Sequence, residues 1–147
     1  MTDELAELIA LCCAFDQHLR KRLKRSTRDV RRYLVLAHLQ TRDNALPRDL
    51  AKVLRASSST VSTVVKGLEK DGLIQRESRQ DTFDHRYTRI RITEAGLTAL
   101  AEAVDDCEGL SATLFAVAGK GDDAFRHRLM MLTKALDSHK WPELTKP

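Results

Sequence analysis

The chain has 147 residues, 42% of them hydrophobic and 31% charged, with a formal net charge of +4. This is the composition of an ordinary folded domain, and no apolar run approaches the ~20 residues of a membrane-spanning helix, so a disordered chain and a helical membrane protein are both excluded. Three cysteines without a Cys-x-x-Cys pair, and five scattered histidines, indicate neither a disulfide framework nor a metal site.

The charge is segregated. Residues 20–42 hold nine Lys/Arg against one Asp, and residues 46–92 hold ten against six, so the rest of the chain is net acidic. A basic middle suits a polyanionic partner, because each neutralised phosphate releases counterions. The acidic start at Met1-Thr-Asp-Glu lacks the basic and apolar segments of a secretory leader, and a cytoplasmic location is expected.

In chain order, residues 3 to 25 read as a helix capped by Thr2. Leu5, Leu8, Cys12, Phe15 and Leu19 form a narrow apolar seam fit to pack on another helix. A second helix is expected from Asp29 to Gln40, with Val30, Tyr33, Leu34 and Ala37 buried. Residues 47–54 read as a short helix with Pro47 at its first position, where the missing N–H costs nothing. Arg55-Ala56 is a tight turn, and residues 57–70 form a further helix. Val61, Val64, Val65 and Leu68 face inward; Ser58, Ser59, Ser62, Thr63 and Lys66 face out. Two short helices joined by a tight turn make a helix-turn-helix.

Asp71-Gly72 ends that helix. Two strands follow, in 73–78 and 86–92, with Thr88, Ile90 and Ile92 alternating against Tyr87, Arg89 and Arg91. The polar stretch between them is the tip of a hairpin over 74–92, the place of a wing. From Thr93 a long helix carries Leu97, Leu100, Val104, Cys107, Leu114 and Ala118 on one seam. A last helix is expected from Asp123 to His139, with Phe125, Leu129, Leu132 and Leu136 on one stripe. These terminal seams exceed what the small middle can cover, and two copies packing their ends together would bury them.

The residues Leu50-Ala51, Ser57, Thr60-Val61-Ser62, the run from Leu68 to Ile74, Asp84-His85-Arg86, and the run from Ile90 to Gly96 resemble the MarR family of winged-helix transcriptional regulators. The Asp-x-Arg at the wing, followed at fixed spacing by the strand and Thr-Glu-x-Gly, is the most diagnostic part. The fold this implies is mainly α with a minor β component. It comprises an N-terminal dimerisation helix (1–28), a winged helix-turn-helix (29–95) and C-terminal dimerisation helices (96–147).

By the same resemblance Ser57, Ser58, Ser59, Thr60 and Thr63 would enter the major groove of double-stranded DNA, with Lys66 on the same outward face. Arg86 would reach the minor groove, held by Asp84. The implied protein is a homodimeric, sequence-specific regulator acting as a repressor, with no cofactor, no metal, no catalytic residue and no membrane partner, and with a small-molecule effector left open. The sequence departs from the family at Arg55, where Gly is common, and at Ser58 and Thr63, where basic residues are common. Two other functions fit the pattern: a winged-helix protein-interaction module, and an architectural DNA-binding protein without an effector. Cys12 carries a redox reading beside a plainer one, a small core residue on the seam. No nucleophile motif or phosphate-cradling glycine loop points to an enzyme.

Overall fold

A computed structural model describes residues 2–42, 44–77, 88–118, 127, 129–131 and 133–134. The elements are α1 (Thr2–Leu23), α2 (Val30–Thr41), α3 (Pro47–Leu54), α4 (Ser58–Lys70), β1 (Ile74–Glu77), β2 (Arg89–Ile92) and α5 (Glu94–Ala118). The chain divides into two compact units, 1–107 and 108–147. In the second, residues 127, 129–131, 133 and 134 are helical, and Leu129, Met130 and Met131 are exposed. The rest of the expected last helix lies outside the described residues. Among those described, no helix is long and apolar enough to cross a membrane.

The first unit is built around one core. Val35, Leu36 and Leu39 of α2, Leu50 of α3, Val61, Val64, Val65 and Leu68 of α4, Ile74 and Ile90 of the hairpin, and Leu100 of α5 form a single buried cluster. Each large side chain fully buried this way contributes about 1.5–3 kcal/mol of transfer free energy. β1 and β2 are antiparallel, with Ile74 opposite Ile92 and Arg76 opposite Ile90. Ile90 also exchanges both backbone hydrogen bonds with Ala45, at 3.0 and 2.9 Å, so one residue ahead of α3 acts as a third strand.

Local chemistry accounts for the boundaries. Pro47 opens α3, and the Asp49 carboxylate accepts the Leu46 N–H at 3.2 Å. Arg55 closes α3 in the left-handed region (φ 48°, ψ 46°), the conformation that favours Gly and that makes the turn into α4. At the far end of α4 the Gly72 N–H donates to Glu69 O and the Leu73 N–H to Leu68 O, both at 2.9 Å, with Gly72 at φ 71°. This is a Schellman cap, closed by the apolar pair Leu68 and Leu73.

Two expected faces differ from those observed. The buried stripe of α2 is Val35, Leu36 and Leu39, while Leu34 is exposed and Val30, Tyr33 and Ala37 are half-buried. α2 is apolar nearly all round, so spacing alone does not select its stripe; packing against α3, α4 and β2 does. On α5, Gly96, Ala99, Leu100 and Ala103 are buried, whereas Leu97 and Val104 are 41% and 52% exposed. The small residues let α5 approach closely, and of the expected seam Leu100 is buried while Leu97 and Val104 are left on an open face. On α1, Ile9, Leu11 and Phe15 are exposed as well.

Candidate nucleic-acid interface

The turn at Arg55-Ala56 sets α4 against α3 with its polar face outward. Ser57 caps α4: its Oγ accepts the Thr60 N–H at 3.4 Å and lies 3.0 Å from Ser59 Oγ and 3.1 Å from Thr60 Oγ1. Thr63 Oγ1 donates to Ser59 O at 3.1 Å, one turn back along the helix. Ser57, Ser58, Ser59, Ser62, Thr63 and Lys66 are exposed, and Thr60 is half-buried. The first turn carries no acid. The result is a row of short hydroxyls beside a positive helix end, followed by a lysine. Short hydroxyl side chains allow close approach of a helix to base edges, and the helix end favours phosphate.

Beside α4 stands the hairpin. Arg76 of β1 bonds Glu69 of α4 at 3.0 Å, and Arg91 of β2 bonds Glu77 at 2.9 Å. A cavity of about 290 Å3 lies between them, with Ser58 and Ser62 from α4 and Arg76 and Thr88 from the hairpin in its lining. Asp84 and Arg86, expected at the wing tip, lie outside the described residues, as does Phe83.

The base of the hairpin explains the Thr-Glu-x-Gly run. The Thr93 hydroxyl donates to Gly72 O at 2.7 Å and accepts the Gly96 N–H at 3.1 Å. The Thr93 N–H donates to Leu73 O at 3.1 Å. One threonine thus caps α5 and ties it to the end of α4, and Gly96 lets the two backbones meet.

A feature that sequence reasoning missed lies at the C-terminal end of α4. Asp71 Oδ2 accepts from Arg32 Nη2 at 2.6 Å and lies 3.2 Å from Arg28 Nη1. The Arg32 side chain is 13% exposed. Arg32 lies three and four residues before Val35 and Leu36, so it shares the buried side of α2, where a cation needs an acid partner; spacing alone does not mark that side as buried. The hydrogen bond from Arg32 holds the Asp71 carboxyl below the usual carboxylate range, with the charges of Arg32, Arg28 and Lys70 adding and partial burial opposing. A carboxylate with a depressed folded pKa stabilises the fold above its unfolded value of about 3.9 and loses that contribution as pH falls through the folded value. NMR titration of Asp71 is therefore expected to show a midpoint below that of an exposed Asp. Arg32→Met is expected to move it back up, and an unchanged midpoint would refute the pairing.

Cys12 and Cys13 are exposed in the single chain. Of the seam residues whose burial is described, Cys12 and Phe15 are exposed and Leu19 is half-buried. Cys107 is half-buried, and burial pushes its thiol up, the Asp106 charge adding and Arg22 opposing. Among the described residues no cluster of three or more His, Cys, Asp or Glu is placed to hold a metal.

Residues 27–82 match the family model described as the MarR family. No curated protein matches the sequence. Among solved structures the chain is similar to a MepR-like protein complexed with pseudoligands (TM-score 0.74, 20% identity, covering 92% of each chain). It is also similar to the Mycobacterium tuberculosis transcriptional regulator MosR, alone (TM-score 0.72, 19% identity, 92% of this chain and 96% of that one) and in complex with DNA (TM-score 0.70, 22% identity, 90% and 95%). At these identities the likeness establishes the winged-helix fold.

Proposed function

We propose that this chain, whose residues 27–82 match the MarR family model, is a homodimeric, sequence-specific double-stranded DNA-binding protein that represses transcription. The observation that carries the reading is the outward face of α4, where Ser58, Ser59, Ser62, Thr63 and Lys66 are all exposed and no acid stands in the first turn. α4 lies in the major groove, with Ser57, Ser58, Ser59, Thr60, Thr63 and Lys66 at bases and phosphates. Arg86 enters the minor groove from the wing, steadied by Asp84 through a charge-assisted bond.

Residues 1–28 and 96–147 join two copies. This reading is supported by the exposed apolar side chains Ile9, Leu11, Phe15, Leu97 and Val104, which a second copy would cover. Two recognition helices then read half-sites centred roughly 34–36 Å apart, and repression follows from blocking polymerase. The complexes of MosR with DNA and of the MepR-like protein with pseudoligands support a DNA partner and room for a small-molecule effector.

The test is selection from a random duplex library at several salt concentrations, with wild type and Arg86→Ala. The expected result is a near-palindromic site, bound about tenfold more weakly by Arg86→Ala through loss of the minor-groove contact. Binding without sequence preference would favour an architectural protein. Absence of duplex binding even at low salt would favour a protein-interaction module.

A further inference from the structure

Asp71 is the C-cap residue of α4, and it is held from one side by two arginines of another part of the chain. Arg32 reaches it from α2, with Nη1 only 3.6 Å from where a Cβ on Gly67 would stand. That is an ordinary van der Waals distance, so the guanidinium lies alongside α4 at Gly67. Arg32 Nε is buried, with no hydrogen-bond partner among the described residues, so the side chain is committed to Asp71 at the cost of one unsatisfied donor.

Arg28 reaches the same carboxylate oxygen from the α1–α2 turn, and that turn is itself fixed. Arg28 takes the left-handed region at φ 68°, and its N–H donates to Leu23 O at 2.8 Å. The hydroxyl of Thr27, a fully buried residue, donates to Leu23 O and Asp29 O.

The inward side of α4 is aliphatic, formed by Val61, Val64, Val65 and Leu68. Such a face holds a helix down but is non-directional, and tolerates small slides along the axis. A charge-assisted bond to the helix end is directional and fixes register. The cations also sit at the negative end of the helix dipole. Resting on the reading of α4 as the recognition helix, we propose that Arg32, seconded by Arg28, is a positioning residue: through Asp71 it sets the axial register of α4 and thereby sequence discrimination. It does so without touching DNA, and it links the α1–α2 junction to the reading head.

The experiment uses the full-length protein with Arg32→Met, Arg32→Lys, Asp71→Asn and the double variant Arg32→Met/Asp71→Asn. Affinity is measured for the selected duplex and for an unrelated duplex over a range of salt, with hydrogen exchange at the Gly72 and Leu73 amides. The expected result for Arg32→Met is about a tenfold loss on the selected duplex and less than about twofold on the unrelated one, with the salt slope unchanged. The double variant is expected to lose no more than Arg32→Met alone, because the two residues act as one unit.

Equal losses on both duplexes with a salt slope smaller by about one would make Arg32 a phosphate contact and overturn the proposal. So would unchanged discrimination. If Arg32→Met fails to fold, Arg32→Lys decides: it keeps a cation and is expected to show a smaller loss confined to the selected duplex, and an equal loss on both overturns the proposal. If wild type binds no duplex, the DNA reading fails, and exchange tests the clasp by itself. Faster exchange at Gly72 and Leu73 in Arg32→Met supports it, and unchanged exchange rejects it.

Discussion

Gly96→Ala is expected to destabilise the protein by about 3 kcal/mol, the upper end of overpacking costs, lowering the thermal midpoint by roughly 10 °C. A Cβ at this position would stand 2.1 Å from Leu73 O and 2.7 Å from Ile92 Cγ1. The carbonyl cannot give way cheaply. It accepts the Thr93 N–H, and Leu73 is also the last residue of the cap on α4, bonded through its own N–H to Leu68 O. Moving it loosens the end of α4, the base of the hairpin and the start of α5 together. Gly72 and Gly67 make the comparison sharp. Gly72 has open space around its Cβ position but φ 71°, so Gly72→Ala is expected to cost about 1–2 kcal/mol. Gly67 lies mid-helix, with only an ordinary contact to Arg32 Nη1, so Gly67→Ala is expected to be neutral or stabilising by up to about 1 kcal/mol. Urea unfolding at one fixed protein concentration measures all three. A Gly96→Ala loss no greater than that of Gly72→Ala would show that α5 can back away from Leu73.

The motifs tied to local backbone chemistry were legible in the sequence. Pro47 and Leu54 bound α3 as expected. Gly72 is the left-handed terminus of α4, and Ile90 the inward residue of a strand whose arginines face out; Ser57, expected as the first residue of α4, is its cap. Each depends on one or two neighbouring side chains, so a single sequence is enough. The helix faces were less legible. α2 has apolar residues on nearly every side, and α5 carries two apolar sets, one meeting the core through Ala99, Leu100 and Ala103 and one open at Leu97 and Val104. Period alone merges the two sets into one seam. Two features with partners far along the chain were missed. Ala45 pairs with Ile90 as a one-residue strand, too short to leave a pattern. Arg32 lies on the side of α2 that spacing does not mark as buried, and the acid it requires there comes from Asp71 at the end of a different helix. Of the candidate site, the α4 face was legible, and the wing-tip residues Asp84 and Arg86 rest on the family resemblance.

Thr63→Glu is expected to abolish sequence-specific duplex binding, by at least about 100-fold or ~2.7 kcal/mol, while leaving the fold intact. Thr63 is exposed, and among the described residues its hydroxyl bonds back to Ser59 O alone, so no core contact is lost. Glu is a better helix former than Thr, and an acid in the second turn is not opposed by the helix dipole, so stability is expected to hold or rise slightly. In the proposed complex the same carboxylate would face base edges and phosphates. It would lose the base contact of the threonine, worth about 1–3 kcal/mol, and add like-charge repulsion at short range. Net charge by itself is a competing explanation, which Gln40→Glu addresses. It makes the same change of charge at an exposed position of α2 and is expected to alter binding less than about twofold. Fluorescence anisotropy with the selected duplex, beside a thermal melt of each variant, separates binding from folding. If Thr63→Glu binds within about threefold of wild type, α4 does not enter the groove. The exposed hydroxyl face would then be a surface for a protein partner, and the basic residues of 20–42 would become the next place to look for a DNA contact.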